Sequence, residues 1–179
     1  RNQMNRIAGL FDAERSEVFS SPVQPFISAS GVIVAFDGRL DNLEELGPLA
    51  TAGNRSACQS CLDAAHVCGV YERHGDGFAS RLNGDFAVAV LDSVRRRLLL
   101  ARDVMAGRCL YYTQIGRRVL FGSTIASLLK QPGVSAAPDE DALADLVLDR
   151  WADAHRTCFS GLHAVPPGRL LVATTDDLA

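Results

Sequence analysis

The chain has 179 residues, of which 47% are hydrophobic and 22% charged, and its formal net charge at pH 7 is −3. This length accommodates one domain, and the composition excludes a disordered or coiled-coil chain. The charge provides no basic field for nucleic acid, and no apolar stretch approaches the roughly 20 residues that span a membrane. We therefore expect one cytoplasmic domain over residues 1–179, with no nucleic-acid or membrane partner.

Runs of apolar residues predict short strands along the chain. In the central run, Phe86, Val88 and Val90 share one face and mostly small side chains the other, which is typical of a strand buried on both faces. The connections are too short for parallel crossovers, so we expect antiparallel pairing. The predicted strands cover residues 7–11, 31–36, 86–91, 98–101, 110–112, 119–121 and 170–172, with a polar connector over 12–25 and turns at 37–38 and 95–97.

Capping residues predict the helices. Asn42 and Glu45 resemble a capping box that opens a short helix. Longer helices are expected to begin at Ser56 and Ser123, and another begins at Pro138 and reaches residue 151. Helices that flank antiparallel strands buried on both faces imply an α+β architecture, with the helices outside two packed sheets.

The cysteines predict no metal site. Their number, five, is odd, and the polar start of the chain lacks the apolar core of an export signal, so we expect free thiols. Cys58 and Cys61 have zinc-like spacing, but His66 and Cys68 follow within a predicted helix and do not form a second ligand pair at zinc-finger spacing. We expect helical thiols, with zinc as the alternative.

Six short blocks then occur in a characteristic order: residues 81–87, 91–92, 102–103, 110–112, 121–123 and 159–168. Together they resemble the class II glutamine amidotransferase domain that begins asparagine synthetases, over about residues 4–173. Ordered blocks are more specific than any single motif. The resemblance implies an N-terminal-nucleophile hydrolase-like fold, a four-layer αββα sandwich with two antiparallel sheets.

The sequence departs from this family at the positions that perform its chemistry. Members that hydrolyse glutamine use a terminal cysteine, and that position is Asn5 here, whose carboxamide cannot attack. Asp37 and Gly38 lie where the family has an Asn-Gly pair that binds the oxyanion, and an ionised Asp37 can only accept hydrogen bonds. The resemblance therefore implies no catalytic nucleophile and no metal. It implies a degenerate glutamine pocket at Asn5, Asp37, Gly38, Asp63, Asn83, Gly84 and Asp85.

Residues 37–42 resemble the corresponding loop of asparagine-synthetase-like proteins that act as lasso-peptide macrocyclases. β-Lactam synthetases also carry a glutaminase-like domain without the cysteine. In these relatives a C-terminal synthetase domain activates a carboxylate with ATP, but the chain contains no matching pyrophosphate loop. We therefore expect a fragment of an ATP-dependent, amide-bond-forming ligase. It would dock on the synthetase domain of the same protein or form a homodimer, and it would need no cofactor, since ATP and Mg²⁺ belong to the synthetase domain.

Two other functions are open: an active amidotransferase whose nucleophile is Cys109, Cys158 or another nonstandard residue, and a free-standing binding module. Arg102 and Asp103 are expected to order a turn rather than to act as a catalytic pair. The four histidines show no shared spacing, so we expect each to be solvated or simply hydrogen-bonded.

Overall fold

The computed structural model describes residues 6–12, 16–21, 25–47, 59–150 and 153–178. The strands are β1 (Arg6–Phe11), β2 (Ser16–Ser21), β3 (Phe26–Ile27), β4 (Val32–Leu40), β5 (Gly84–Asp92), β6 (Arg97–Arg102), β7 (Tyr111–Ile115), β8 (Arg118–Gly122), β9 (Leu162–Ala164) and β10 (Leu170–Thr174). The helices are α1 (Gln59–His74), which a 3-10 helix over Gly75–Arg81 continues, α2 (Ile125–Leu129) and α3 (Glu140–Val147). None of these helices has the length and hydropathy needed to cross a bilayer.

The strands form two five-stranded sheets. Sheet 1 has the order β2-β1-β8-β7-β9, and sheet 2 has the order β10-β6-β5-β4-β3. Every neighbouring pair is antiparallel, as the short connections predict. The order within each sheet brings strands from distant parts of the chain side by side, so both sheets depend on long-range pairing.

Alternation along β4 and β5 divides the apolar interior between the two faces of sheet 2. Phe36 and Val88 point outward and pack with side chains of α1, whereas Ala35 and Ala87 point inward and pack with residues of sheet 1 such as Phe121. A smaller cluster lies between the outer face of sheet 1 and α2. The layers are therefore helix, sheet, sheet, helix, which confirms the predicted αββα sandwich.

The polar connector predicted over residues 12–25 is wrong, because it contains β2. Residues 16–21 pair with β1 in antiparallel register at the edge of sheet 1. An edge strand is specified by the backbone groups of its neighbour and needs no continuous apolar run. The two-residue strand β3 and the three-residue strand β9, also at sheet edges, are missing from the prediction for the same reason.

The turn predicted at Asp37-Gly38 is also wrong, since β4 continues through both residues to Leu40. Asp37 pairs with Ala87 and Gly38 pairs with Phe86 in the β4–β5 ladder. An Asp-Gly pair favours a turn locally, but the hydrogen bonds of a long antiparallel ladder outweigh that preference. This correction places Asp37 inside the sheet.

The helix boundaries also need correction. Residues 43–46 form a turn instead of a helix, because the Asn42 side chain accepts a hydrogen bond from the backbone N–H of Asn83. The cap of α2 is Thr124, whose Oγ1 accepts from the N–H of Ser127. Helix α3 ends at Val147, short of the predicted residue 151. The predicted cap at Ser56 and the predicted end at Trp151 lie outside the described residues.

Candidate functional site

Two glycines bring the end of β4 unusually close to the start of β5. Gly38 has a φ of +129° and Gly84 has a φ of +151°. A Cβ on Gly38 would collide with the carbonyl oxygen of Asp85, and a Cβ on Gly84 would collide with that of Arg39. Glycine is therefore required at both positions by its conformation and by the space available.

This close approach places two carboxylates side by side on the inner face of sheet 2. By the alternation of β4 and β5, Asp37 and Asp85 both point towards sheet 1. Arg108, from the loop between β6 and β7, lies between them. Its Nη1 is 3.5 Å from Oδ1 of Asp37, and its Nε is 3.2 Å from Oδ2 of Asp85. Two negative charges thus share one guanidinium.

Asp37 carries a partly uncompensated charge. Its side chain is 7% exposed, and burial raises its pKa from 3.8 to about 6. Arg108 opposes that rise, and the charge of Asp85 adds to it. Because this pKa still lies below 7, the ionised form of Asp37 predominates at pH 7. The position therefore presents an acceptor, not a hydrogen-bond donor, for most molecules.

The loop that carries Arg108 is fixed by Arg102 and Asp103. The Arg102 guanidinium donates to the carbonyl oxygens of Ala106, Arg108 and Val165, at 3.1, 2.6 and 2.8 Å. The Asp103 carboxylate accepts from two backbone N–H groups. All of these partners are backbone groups, so the pair orders a turn, which confirms the structural reading of these two residues.

Two further residues of the predicted glutamine pocket do not lie beside the carboxylate pair of Asp37 and Asp85. Asp63 is fully buried on α1, the helix that covers the outer face of sheet 2. Asn83 is exposed, and its backbone exchanges hydrogen bonds with the Asn42 side chain and the Asp41 N–H. Asn5 lies outside the described residues. The structure thus brings together Asp37, Gly38, Gly84 and Asp85 of the predicted set.

A cleft of about 390 Å³ opens on the other side of this strand end. Its walls include Asn83 and Gly84 together with Asp103 and Arg169. Neither Asp37 nor Asp85 lines it, because both point to the inner face. The outer cleft and the carboxylate pair therefore lie on opposite faces of the sheet at the start of β5.

The cysteines differ in their exposure. Burial raises the pKa of Cys68 to about 11, which keeps this thiol protonated and unreactive. Cys109 and Cys158 are exposed, and Cys61 is half-buried. Among the described residues, no three His, Cys, Asp or Glu side chains are arranged to hold a metal ion, and Cys58 lies outside them.

Arg108 is the site residue that sequence reasoning missed. It lies between two blocks that match the family, residues 102–103 and 110–112, but nothing local indicates that its side chain reaches β4. Its contact with Asp37 joins residues that are 71 positions apart. The sequence marks Arg108 only as a lone basic residue in a loop that follows a buried strand, which is weak evidence for a place in the site.

Comparison with known proteins identifies relatives of the chain. A family described as "glutamine amidotransferase domain" matches residues 16–179. "Amidase chyE" of Penicillium rubens is 31% identical over 115 residues, which cover 64% of this chain and 16% of that protein. "Asparagine synthetase [glutamine-hydrolyzing] 3" of Bacillus subtilis is 29% identical over 147 residues, which cover 81% of this chain and 24% of that protein. The chain thus spans a quarter or less of these relatives.

Solved structures show the same fold. Glutamine phosphoribosylpyrophosphate amidotransferase from B. subtilis superposes with a TM-score of 0.53 at 14% identity, covering 96% of this chain and 41% of that one. A structure described as the allosteric regulatory enzyme of purine biosynthesis superposes with a TM-score of 0.54 at 15% identity, covering 97% and 42%. These likenesses confirm the N-terminal-nucleophile hydrolase-like architecture.

Proposed function

The chain belongs to the glutamine amidotransferase domain family and is related to asparagine synthetases, and from this premise we propose that it is a degenerate domain that does not hydrolyse glutamine. Its role is structural: it supports an ATP-dependent ligase that forms amide bonds. The ligase is of the asparagine synthetase type or the lasso-peptide macrocyclase type. The ligase reaction itself takes place in a separate synthetase domain.

The observation that carries this proposal is the buried pair of Asp37 and Arg108. Hydrolysis of a carboxamide creates a negatively charged oxygen, which active enzymes stabilise with preorganised hydrogen-bond donors. Asp37 occupies the position that the family resemblance assigns to one such donor, yet it is buried, mostly ionised and paired with Arg108. Loss of one donor typically costs a factor of about 100 to 1000 in rate.

The nucleophile position gives separate support. The resemblance aligns the family cysteine with Asn5, and a carboxamide is not a nucleophile. A site without the attacking group and with a carboxylate near the developing charge has lost two independent parts of the reaction. The glutamine pocket therefore lacks both the nucleophile and one group that stabilises the oxyanion.

Exposed apolar side chains support a docking role. Leu146, Val147 and Leu148, at the end of α3, are 65%, 84% and 58% exposed. Several large apolar side chains exposed in one short segment favour an interaction surface there. The proposed partner is the synthetase domain of the same protein, which would bind ATP and Mg²⁺, and homodimerisation is the other way to cover this surface. Light scattering of the isolated chain should show self-association, and a strictly monomeric, highly soluble chain would contradict a docking surface.

The test of the proposal is an assay of glutamate release from glutamine with a coupled dehydrogenase. The wild-type chain and Asn5→Ala should both stay at the uncatalysed background. The rival function, an active amidotransferase with a nonstandard nucleophile, makes a different prediction. Turnover that survives Asn5→Ala but disappears after alkylation of the cysteines would overturn the proposal and favour Cys109 or Cys158, which are exposed.

A further inference from the structure

Three aromatic side chains form a cluster at the edge of sheet 1. The imidazole rings of His155 and His163 stack with their centroids 4.6 Å apart and their planes 9° from parallel. Tyr112, which pairs with His163 across β7 and β9, lies 5.5 Å from the His163 ring. Its hydroxyl is 2.5 Å from Nε2 of His155. His155 is hydrogen-bonded, as expected, but its stacking on His163 is not predicted from the sequence.

The stack favours neutral imidazoles. Two protonated rings at this separation would repel each other. In addition, Nδ1 of His163 is buried and has no hydrogen-bond partner. A proton on that nitrogen would be a buried donor without an acceptor. Burial is the main cause of a lowered pKa for His163, the charge of His155 adds to it, and Asp139 acts in the opposite direction.

The charged groups around the stack come from two neighbouring elements. Asp153 and Arg156 belong to the same loop as His155, and Asp153 accepts a hydrogen bond from the His155 backbone N–H. Asp139 and Asp141, at the start of α3, both contact the Arg156 guanidinium. These two carboxylates are thus paired with Arg156, which limits how far they can stabilise a charged His163.

The loop that carries His155 also attaches α3 to the sheet. Arg156 binds the carboxylate of Asp139, which caps α3. The backbone N–H of Asp139 donates to the carbonyl of Cys158, and the N–H of Ala164 in β9 donates to the carbonyl of His155. Displacement of His155 would therefore loosen both the edge strand β9 and the start of α3.

We propose that His155, His163 and Tyr112 form a pH-operated latch. While both imidazoles are neutral, the latch holds residues 153–161 and α3 against β9. When both are protonated, the stack separates and this segment is released. The latch does not involve the glutamine pocket, so a test of the latch and a test of the proposed function can give different outcomes.

The sign of the pH dependence follows from proton linkage. A released His163 binds a proton near the ordinary histidine pKa of about 6.5, whereas burial in the closed latch lowers its pKa. The released state thus binds more protons below about pH 6.5, and the closed latch loses stability as the pH falls. Each pKa unit by which stacking lowers proton affinity changes the opening equilibrium by about a factor of ten.

The test is amide hydrogen exchange of the 179-residue chain, measured by NMR at pH 7.5 and pH 5.5. Protection factors report the local opening equilibrium once intrinsic exchange rates are divided out. At the lower pH, protection of the Ala164 and Asp139 amides should fall by at least about tenfold. Protection of the β5 amides should change by less than about twofold. The proposal would be overturned if protection fell equally at Ala164, at Asp139 and in β5, or if it did not change at Ala164 and Asp139.

A variant pair assigns the effect to the stack. His163→Gln should remove most of the pH dependence at Ala164 and Asp139, whereas His74→Gln, at an exposed histidine that ends α1, should behave as the wild type. A His163→Gln profile identical to that of the wild type would contradict the latch. If His163→Gln does not fold, ring-proton titrations of the wild type decide. Titration of the His163 ring below pH 6.5 supports the proposal, and titration of that ring near 6.5 refutes it.

Discussion

Asp37→Asn should stabilise the protein at neutral pH, although it removes a partner of Arg108. The rise in the Asp37 pKa from 3.8 to about 6 means that the fold favours the neutral side chain. At about 1.4 kcal/mol per pKa unit, that preference amounts to about 3 kcal/mol. Arg108 is 22% exposed, so solvent screens part of this electrostatic balance, and we expect a gain of about 1–2 kcal/mol.

The gain should depend on pH in a defined direction. Because the folded pKa lies above the unfolded value, the folded state binds more protons between pH 3.8 and about 6. The cost of burying Asp37 therefore develops as the pH rises through this window and is nearly complete at pH 7.5. The stabilisation by Asp37→Asn should be largest there and should shrink as the pH falls towards 4.

Urea unfolding of the wild type and Asp37→Asn at pH 7.5 and pH 4.5 measures this difference. Asp41→Asn is the matched control, since Asp41 is an exposed carboxylate close in sequence that pairs with Arg39. The control should change stability by less than about 0.5 kcal/mol. If Asp37→Asn lowered the free energy of unfolding at pH 7.5 by about 1 kcal/mol or more, the ion pair with Arg108 would outweigh the cost of burial. The electrostatic account of the site would then be refuted.

Three further changes, one of them with a control in α1, test the backbone around the site by urea unfolding. Gly38→Ala should lower the free energy of unfolding by about 3 kcal/mol or more, because the new Cβ collides with the backbone of β5. The control Gly69→Ala in α1, where nothing lies within 4 Å, should raise it by about 1 kcal/mol. Equal effects of the two substitutions would contradict the close approach of β4 and β5. Ala106→Gly should stabilise by about 1 kcal/mol, because Ala106 has a φ of +55°, and destabilisation would argue against that left-handed conformation. Arg102→Lys should cost about 3 kcal/mol, because one ammonium cannot replace three bonds to backbone carbonyls, and a neutral result would contradict their structural role.

The sequence predicts the centre of this fold better than its edges. The apolar runs that became β5 and β6 are buried on both faces, so their composition alone identifies them. The edge strands β2, β3 and β9 are short or polar, and only their backbone pairing with neighbours defines them. That pairing depends on the tertiary structure, which local sequence does not contain.

Local sequence also predicts only part of the candidate site. The resemblance indicates Asp37 and Gly38, but a local reading of Asp-Gly as a turn placed them at the end of a strand instead of inside β4. The φ of Gly38 and the reach of Arg108 are set by the approach of β5 and of the β6–β7 loop. Likewise, His155 and His163 show no pattern in the sequence and stack only after β9 has joined the sheet.

The central claim is that the glutamine pocket is degenerate beyond its missing nucleophile. The measurement that tests it most directly is glutamate release from glutamine by Asn5→Cys, with residues 1–4 removed so that the cysteine becomes the first residue. We predict a rate close to the uncatalysed background, because in the proposed site Asp37 would place negative charge where the oxyanion forms. Sustained turnover by this single variant would contradict the account, since it would show a pocket that lacked only its nucleophile.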